Sequence, residues 1–210
     1  MPGKLILSFF LRRLWIFTVV AALVPLPLHA AQQGQKKPSA NFEHVHALAM
    51  DVAGQSLFFG AHTGFFKSGN GGLSWQKVAL SGKHSNLDVM AVTPDPKDPK
   101  TIYVATHEAG VLKSTDGGTT WKEVNAGLKG LDVHGLAIDP NAPKKLHAAV
   151  REKGEGIYRT ENGGEKWVRI DDGPGGEIKV LTSVNLPTGM GGIFLYAGTG
   201  EGLQKSPDCF

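Results

Sequence analysis

The sequence predicts an all-β fold, a β-propeller of four-stranded antiparallel blades, with about four blades present and the last one incomplete. Three observations predict it. Trp75, Trp121 and Trp167 stand 46 residues apart, and each closes the same motif. The motifs read Ser68-Gly-Asn70-Gly-Gly72-Leu-Ser-Trp75, Ser114-Thr-Asp116-Gly-Gly118-Thr-Thr-Trp121 and Thr160-Glu-Asn162-Gly-Gly164-Glu-Lys-Trp167, and a fourth opens at Ser206-Pro-Asp208. Gly64, Gly110, Gly156 and Gly202 step by the same 46 residues, each entering a strand after a tight turn. Between these marks the chain runs in short apolar stretches with no sustained helical period. A fixed period above forty residues with strand-like sequence between is the mark of a propeller.

Residues 1–30 read as a secretory signal peptide. Lys4, Arg12 and Arg13 form a basic start, Leu14 to Leu28 an apolar stretch, and Ala30 a small residue at the cleavage point. Pro25 and Pro27 and the short apolar run argue against a retained membrane span. This predicts a periplasmic or secreted protein. Residues 31–40 are polar and read as a flexible leader.

The propeller is expected over 41–210, in blades at about 41–80, 86–125, 131–171 and 177–210. Strand A of each blade falls at Val45–Met50, Val89–Thr93, Val133–Ile138 and Lys179–Val184. Strand B holds Leu57–Phe59, Ile102–Val104, Leu146–Ala148 and Ile193–Tyr196. Strand C follows each periodic glycine, and strand D holds the tryptophan and the residues after it, as in Trp121–Val124. The fourth motif stops at Phe210, before its glycine and tryptophan. A ring needs at least four blades, so the sequence reads as a piece of a larger propeller or as one closed by a borrowed strand, and the first is preferred.

The motif is a hairpin turn by its chemistry. Asx side chains accept backbone N–H bonds, glycine supplies positive φ, and tryptophan covers the turn with a large apolar face. With its spacing it resembles the Asp-box, Ser/Thr-x-Asp/Asn-x-Gly-x-x-Trp, of the bacterial neuraminidase repeat. The resemblance covers residues 41–210. That family includes sialidases, xyloglucanases, sortilin-type receptors and photosystem II stability and assembly factors. The chain looks closest to the bacterial glycosyl-hydrolase-named repeat proteins and the assembly-factor propellers. The resemblance implies a blade-stabilising role for Ser68, Asn70, Gly72, Trp75, Ser114, Asp116, Gly118, Trp121, Thr160, Asn162, Gly164, Trp167, Ser206 and Asp208.

Charge and cysteine content narrow the function classes. The chain has 22 basic and 19 acidic residues, and the three basic residues of the signal peptide, Lys4, Arg12 and Arg13, account for the difference. A balanced propeller has no net attraction for nucleic acid or an anionic membrane, so neither is an expected partner. The single cysteine, Cys209, permits no internal disulfide, so the fold must rest on its core.

In an up-and-down blade, alternate turns share a face. The start of strand A and the B–C turn therefore lie on one face, at the mouth of the central channel, and the tryptophan-closed turns lie on the other. This gathers His44, His46, His62, Asp88, His107, Glu108, Asp132 and His134 as candidate ligand-binding residues. His46, His62, His107 and His134 are expected to cluster around the channel end. His44-x-His46 puts two rings on one side of a strand, and with His62 or His107 these are candidate ligands for zinc or copper. The alternative role is hydrogen bonding that closes the mouth. Asp88 and Asp132 are candidate channel carboxylates for glycoside hydrolysis. Sialidase chemistry is disfavoured, because Arg151, Arg159 and Arg169 are the only arginines after residue 30 and only Arg151 sits near the mouth. No cofactor is implied. The leading expectation is a non-catalytic scaffold that binds a protein or glycan at the mouth. The alternatives are a secreted sialidase- or xyloglucanase-like hydrolase and a periplasmic metal-binding propeller.

Overall fold

The computed structural model describes residues 42–80, 86–185 and 192–206. The signal peptide and leader, His84 and Asp208 lie outside these residues. Fifteen strands form four antiparallel sheets, and no helix occurs among the described residues. Blade 1 is β1 (Val45–Met50), β2 (Leu57–Ala61), β3 (Gly64–Ser68) and β4 (Gln76–Val78); blade 2 is β5 (Val89–Pro94), β6 (Ile102–Thr106), β7 (Val111–Ser114) and β8 (Lys122–Glu123). Blade 3 is β9 (Val133–Ile138), β10 (Leu146–Val150), β11 (Gly156–Thr160) and β12 (Val168–Asp171), and blade 4 is β13 (Ile178–Val184), β14 (Phe194–Thr199) and β15 (Gly202–Lys205). Each sheet pairs its strands in chain order. The inner strands pack β1 on β5, β5 on β9 and β9 on β13. This is the β-propeller that the repeat predicts.

Burial of the inner strands is uneven, and β5, flanked by β1 and β9, is only partly buried. β9, with a blade on either side, is buried along almost its whole length. The first and last inner strands keep Leu48, Met50 and Val180 exposed. Close blade packing depends on small residues. A Cβ added at Gly135 of β9 would stand 2.6 Å from Leu181 Cβ of β13, so the residue there must be glycine for the sheets to meet.

The tryptophan-closed turns are built around a buried hydroxyl. Ser114 Oγ donates to Asp116 Oδ1 at 2.8 Å and accepts the Gly118 N–H at 2.9 Å. Ser68 and Thr160 repeat the pattern with Asn70 and Gly72 and with Asn162 and Gly164. Asp116 also accepts from Thr120, by side chain and backbone, and these bonds hold its carboxyl down at about 2. Gly118 takes φ +91°, which a side chain would resist.

The tryptophans themselves differ from the expectation. They precede the outer strands instead of lying in them, and two of the three turn toward the preceding blade. Trp121 packs edge-on against Phe65 of blade 1, with ring centroids 5.2 Å apart. Trp167 is fully buried, and its indole N–H donates to the Val124 carbonyl of blade 2 at 2.7 Å. Trp75, in the first blade of the described residues, packs on Phe59 of its own blade.

A second repeat emerges from the strand registers. Phe58, Tyr103, His147 and Tyr196 occupy matched positions, opposite Lys67, Lys113, Arg159 and Lys205. Lys67 and Lys113 lie over their aromatic partners at 5.7 and 5.2 Å and donate to the Gly117 and Gly163 carbonyls of the next blade. His147 is completely buried at this between-blade position.

Candidate functional site

The inner strands line a cavity of about 490 Å³ that includes His46, Met90, Thr93, His134, Leu136, Lys179 and Thr182. His46 and His134 stand at the end of it where the B–C turns and the strand-A starts come together. Backbone bonds tie the turns at this end to the inner strands. The turn residue of each of the first three blades donates its N–H to the carbonyl of the residue just before that blade's inner strand. His62 donates to the His44 carbonyl at 3.3 Å, His107 to Asp88 at 3.1 Å and Arg151 to Asp132 at 2.8 Å.

The side chains of the same turn residues reach the other way, to the next blade. His62 Nδ1 contacts Asp88 Oδ2, and His107 Nδ1 lies 3.0 Å from Asp132 Oδ1. Arg151 bonds Glu177 at 2.6 Å. Three successive blade junctions thus carry a basic turn residue facing an acid that precedes the next inner strand. A second histidine joins each of the first two. His46 Nε2 lies 3.3 Å from Asp88 Oδ1, and His134 Nε2 lies 3.0 Å from Asp132 Oδ1. Arg151 Nε also stands 3.6 Å from Asp132 Oδ2.

The candidate residues therefore separate into two clusters. His46, His62 and Asp88 form one, and His107, Asp132 and His134 the other, with the donor atoms of each cluster within 4.8 Å of one another. His44 is exposed with φ +45°, and its ring lies edge-on to His62 at 5.0 Å between centroids, outside the cluster. Glu108 is exposed beside His107 and joins neither group. Of the four histidines proposed as metal ligands, His46 and His62 share a cluster, His44 stands beside it, and His107 belongs to the second. Sequence reasoning missed Glu177 and the cross-blade pairing of each acid. Glu177 had a signal, because it precedes Lys179 by two residues as Asp132 precedes His134.

Burial lowers the pKa of His46 against the raising pull of Asp88, and His62, His44 and His107 lower it further. Burial likewise lowers His134, opposed by Asp132 and assisted by Arg151 and His107. Both rings are thus neutral near pH 7, the form that presents a nitrogen lone pair. Arg159 pairs with Glu161, and Arg169 bonds the Glu155 carbonyl and Asp172. Arg151 is the arginine that reaches the mouth.

The solved structures that resemble this fold are propellers. A GH74 xyloglucanase from Xanthomonas campestris matches with TM-score 0.60 and 20% identity, over 79% of this chain and 29% of that one. The extracellular domain of a putative hybrid two-component system from B. thetaiotaomicron matches with TM-score 0.57 and 19% identity, over 78% and 23%. YCF48 bound to D1 peptide matches with TM-score 0.51 and 14% identity, over 77% and 48%. These likenesses show the fold, and the chain spans less than a third of the length of the GH74 enzyme and of the extracellular domain. No curated protein matches the sequence. The family model for sortilin, neurotensin receptor 3, matches residues 63–178, over half of the 210 residues, and the chain belongs to that Sortilin-Vps10 family.

Proposed function

We propose that the chain is an exported, non-catalytic Asp-box propeller that serves as a binding or assembly scaffold, holding a protein or glycan partner on its channel-mouth face. One observation carries this reading. Asp88, Asp132 and Glu177, the acids ahead of three inner strands, each face a basic side chain from the preceding blade. A glycosidase needs one carboxyl group free to donate a proton and another free to attack or activate water. Asp88 and Asp132 instead face two imidazoles each. The arginine placement also argues against a sialidase, since a three-arginine clamp cannot be built around Arg151 alone.

What remains is a firm polar surface. Its backbone is tied turn to strand, and its side chains offer both hydrogen-bond donors and acceptors. YCF48, one of the structural neighbours, is bound to D1 peptide in its own structure, which fits a scaffold of this kind. Export rests on the basic-then-apolar start of the sequence. Among the described residues no helix is long and apolar enough to cross a membrane.

The test compares two faces in producing cells. A photo-crosslinking residue at Glu108 marks the mouth, and one at Leu73, 73% exposed in a tryptophan-closed turn, marks the opposite side. Discrete adducts are expected from position 108 and none from position 73. Equal adducts at both, or adducts from position 73 alone, would refute the mouth as the binding face. Hydrolysis of a sialoside or a xyloglucan oligosaccharide that disappears in Asp88→Asn or Asp132→Asn would refute the non-catalytic reading.

A further inference from the structure

We propose that the mouth carries two separate sites for a borderline divalent cation of the Zn²⁺ or Cu²⁺ type, one held by His46, His62 and Asp88 and the other by His107, Asp132 and His134. The inference deepens the reading of the mouth as a binding surface, but it requires no partner to be bound.

The donors converge but only partly satisfy one another: His62 Nδ1 bonds Asp88 Oδ2, while other atoms of the two clusters are left over. Asp88 Oδ1, Asp132 Oδ1 and His134 Nε2 are all buried and have no hydrogen-bond partner. Each nevertheless lies against another donor: His46 Nε2 is 3.3 Å from Asp88 Oδ1, and His134 Nε2 is 3.0 Å from Asp132 Oδ1. These atoms approach at hydrogen-bond distance but in the wrong direction for a hydrogen bond. Buried polar atoms are costly to leave unsatisfied, so a shared third body among them is the economical account. A tetrahedral cation at about 2.0–2.1 Å from its ligands holds them roughly 3.3 Å apart. The His46–Asp88, His107–Asp132 and His134–Asp132 separations, at 3.3, 3.0 and 3.0 Å, are close to that, the other ligand atoms of each cluster lie within 4.8 Å, and an ion in the first site would displace the His62–Asp88 hydrogen bond.

The third junction supplies an internal comparison. Where Arg151 replaces histidine in the turn, its guanidinium bonds Glu177 at 2.6 Å in an ordinary ion pair. Lys179 stands two residues after Glu177, where His134 follows Asp132. No metal-ligand set occurs there among the described residues. Misaligned buried donors and convergent ligands therefore appear together at the two histidine junctions and are both missing at the arginine one.

Ligand type selects the cation. Two imidazoles and a carboxylate suit Zn²⁺ and Cu²⁺, whereas Mg²⁺ and Ca²⁺ prefer all-oxygen sites. The two sites are related but not identical. The first draws its strand histidine from the same blade as its turn histidine, and the second from the following blade. Arg151, 3.6 Å from Asp132 Oδ2, orients the second carboxylate from outside. Three protein donors leave a fourth position at each ion, open to water or to a partner's side chain.

The test uses the purified full chain, stripped with chelator and titrated with Zn²⁺ and with Cu²⁺ by calorimetry, with Mg²⁺ and Ca²⁺ as controls. Two equivalents of Zn²⁺ or Cu²⁺ are expected, and none of Mg²⁺ or Ca²⁺. His62→Ala and His107→Ala lie in partly exposed turns, and each should remove one equivalent while keeping the circular dichroism of the parent in chelator. The double variant should bind none. Paramagnetic resonance of the Cu²⁺-loaded parent should show nitrogen coupling at both sites, a readout that does not depend on any variant folding. No binding at tenfold molar excess, a stoichiometry that neither variant lowers, a single ion lost in both variants, or equal binding of Ca²⁺ would each overturn the proposal. Crosslinking from Glu108 would still report on partner binding in those cases.

Discussion

His147 makes the fold acid-sensitive, and the size of the effect follows from its surroundings. The ring is completely buried between blades. Burial pushes its pKa down from 6.5 to about 3, and Lys145 and Arg159 push in the same direction against Asp139. The native state therefore keeps the ring neutral below pH 6.5, while the unfolded chain takes up a proton there. Protonation favours the unfolded state, so stability is lost as pH falls from 6.5 and the loss is complete near pH 3. Each pH unit in that window costs about 1.4 kcal/mol. Moving from pH 7 to pH 5 should cost about 2 kcal/mol through this residue alone, or roughly 4–8 °C in melting temperature for a domain of this size. His147→Phe removes the titration and installs the residue that blade 1 uses at the matched position, Phe58. The assay is urea unfolding of parent and variant at both pH values, followed by tryptophan fluorescence. The quantity that matters is the difference between the two pH-induced losses. Any constant packing cost of the substitution cancels, and so does whatever the mouth histidines contribute to both proteins. The variant should lose about 2 kcal/mol less than the parent. Equal losses in the two proteins would refute the reasoning, because they would mean that the buried ring accepts its proton in the native state.

Other perturbations test the framework and the site. Trp167→Ala should cost about 3–5 kcal/mol by denaturant unfolding, and Trp75→Ala distinctly less, because Trp75 is half-buried and packs within its own blade. Ser114→Ala should cost about 1–3 kcal/mol, since it strands the buried Gly118 N–H and removes a bond to Asp116. Gly135→Ala should cost about 1–3 kcal/mol by forcing β9 and β13 apart, and a melting temperature within a degree of the parent would contradict the 2.6 Å clearance. Fluorogenic sialosides and xyloglucan oligosaccharides should not be turned over by the full chain, as measured by product release against a heat-denatured blank.

The repeat made the strands legible, because period, glycine placement and apolar runs agreed with one another. β1 and β9 have the predicted bounds, and the other inner strands differ by a single residue at one end. The tryptophans were harder. Identical motifs suggest identical surroundings, but among the described residues Trp121 and Trp167 pack against the blade before, whereas Trp75 packs within its own. The between-blade series of Phe58, Tyr103, His147 and Tyr196 was hidden because its steps are 45, 44 and 49 residues long, where the motif keeps 46. The mouth was legible as a face but not as pairs. His62 meets Asp88 across 26 residues, a separation unrelated to the period, since the contact joins the turn of one blade to the strand start of the next.

That cross-blade geometry separates what holds the mouth together from what the mouth presents. At the first three turns the backbone N–H is spent on the carbonyl before its own inner strand, whether the residue is His62, His107 or Arg151. Because this bond needs no particular side chain, the turn residue can change without loosening the blade. The side chain is then free to reach forward to an acid, and the acid sits on a strand start whose own carbonyl serves a different turn. Asp88 shows the division most clearly: its carbonyl receives the His107 N–H of its own blade, while its carboxylate faces His62 and His46 of the blade before. Removing the carboxylate should therefore change what the mouth holds and leave the backbone tie in place. A repeat built this way can exchange an imidazole for a guanidinium, as the step from His107 to Arg151 does, and so vary its binding chemistry from junction to junction on one unchanged frame.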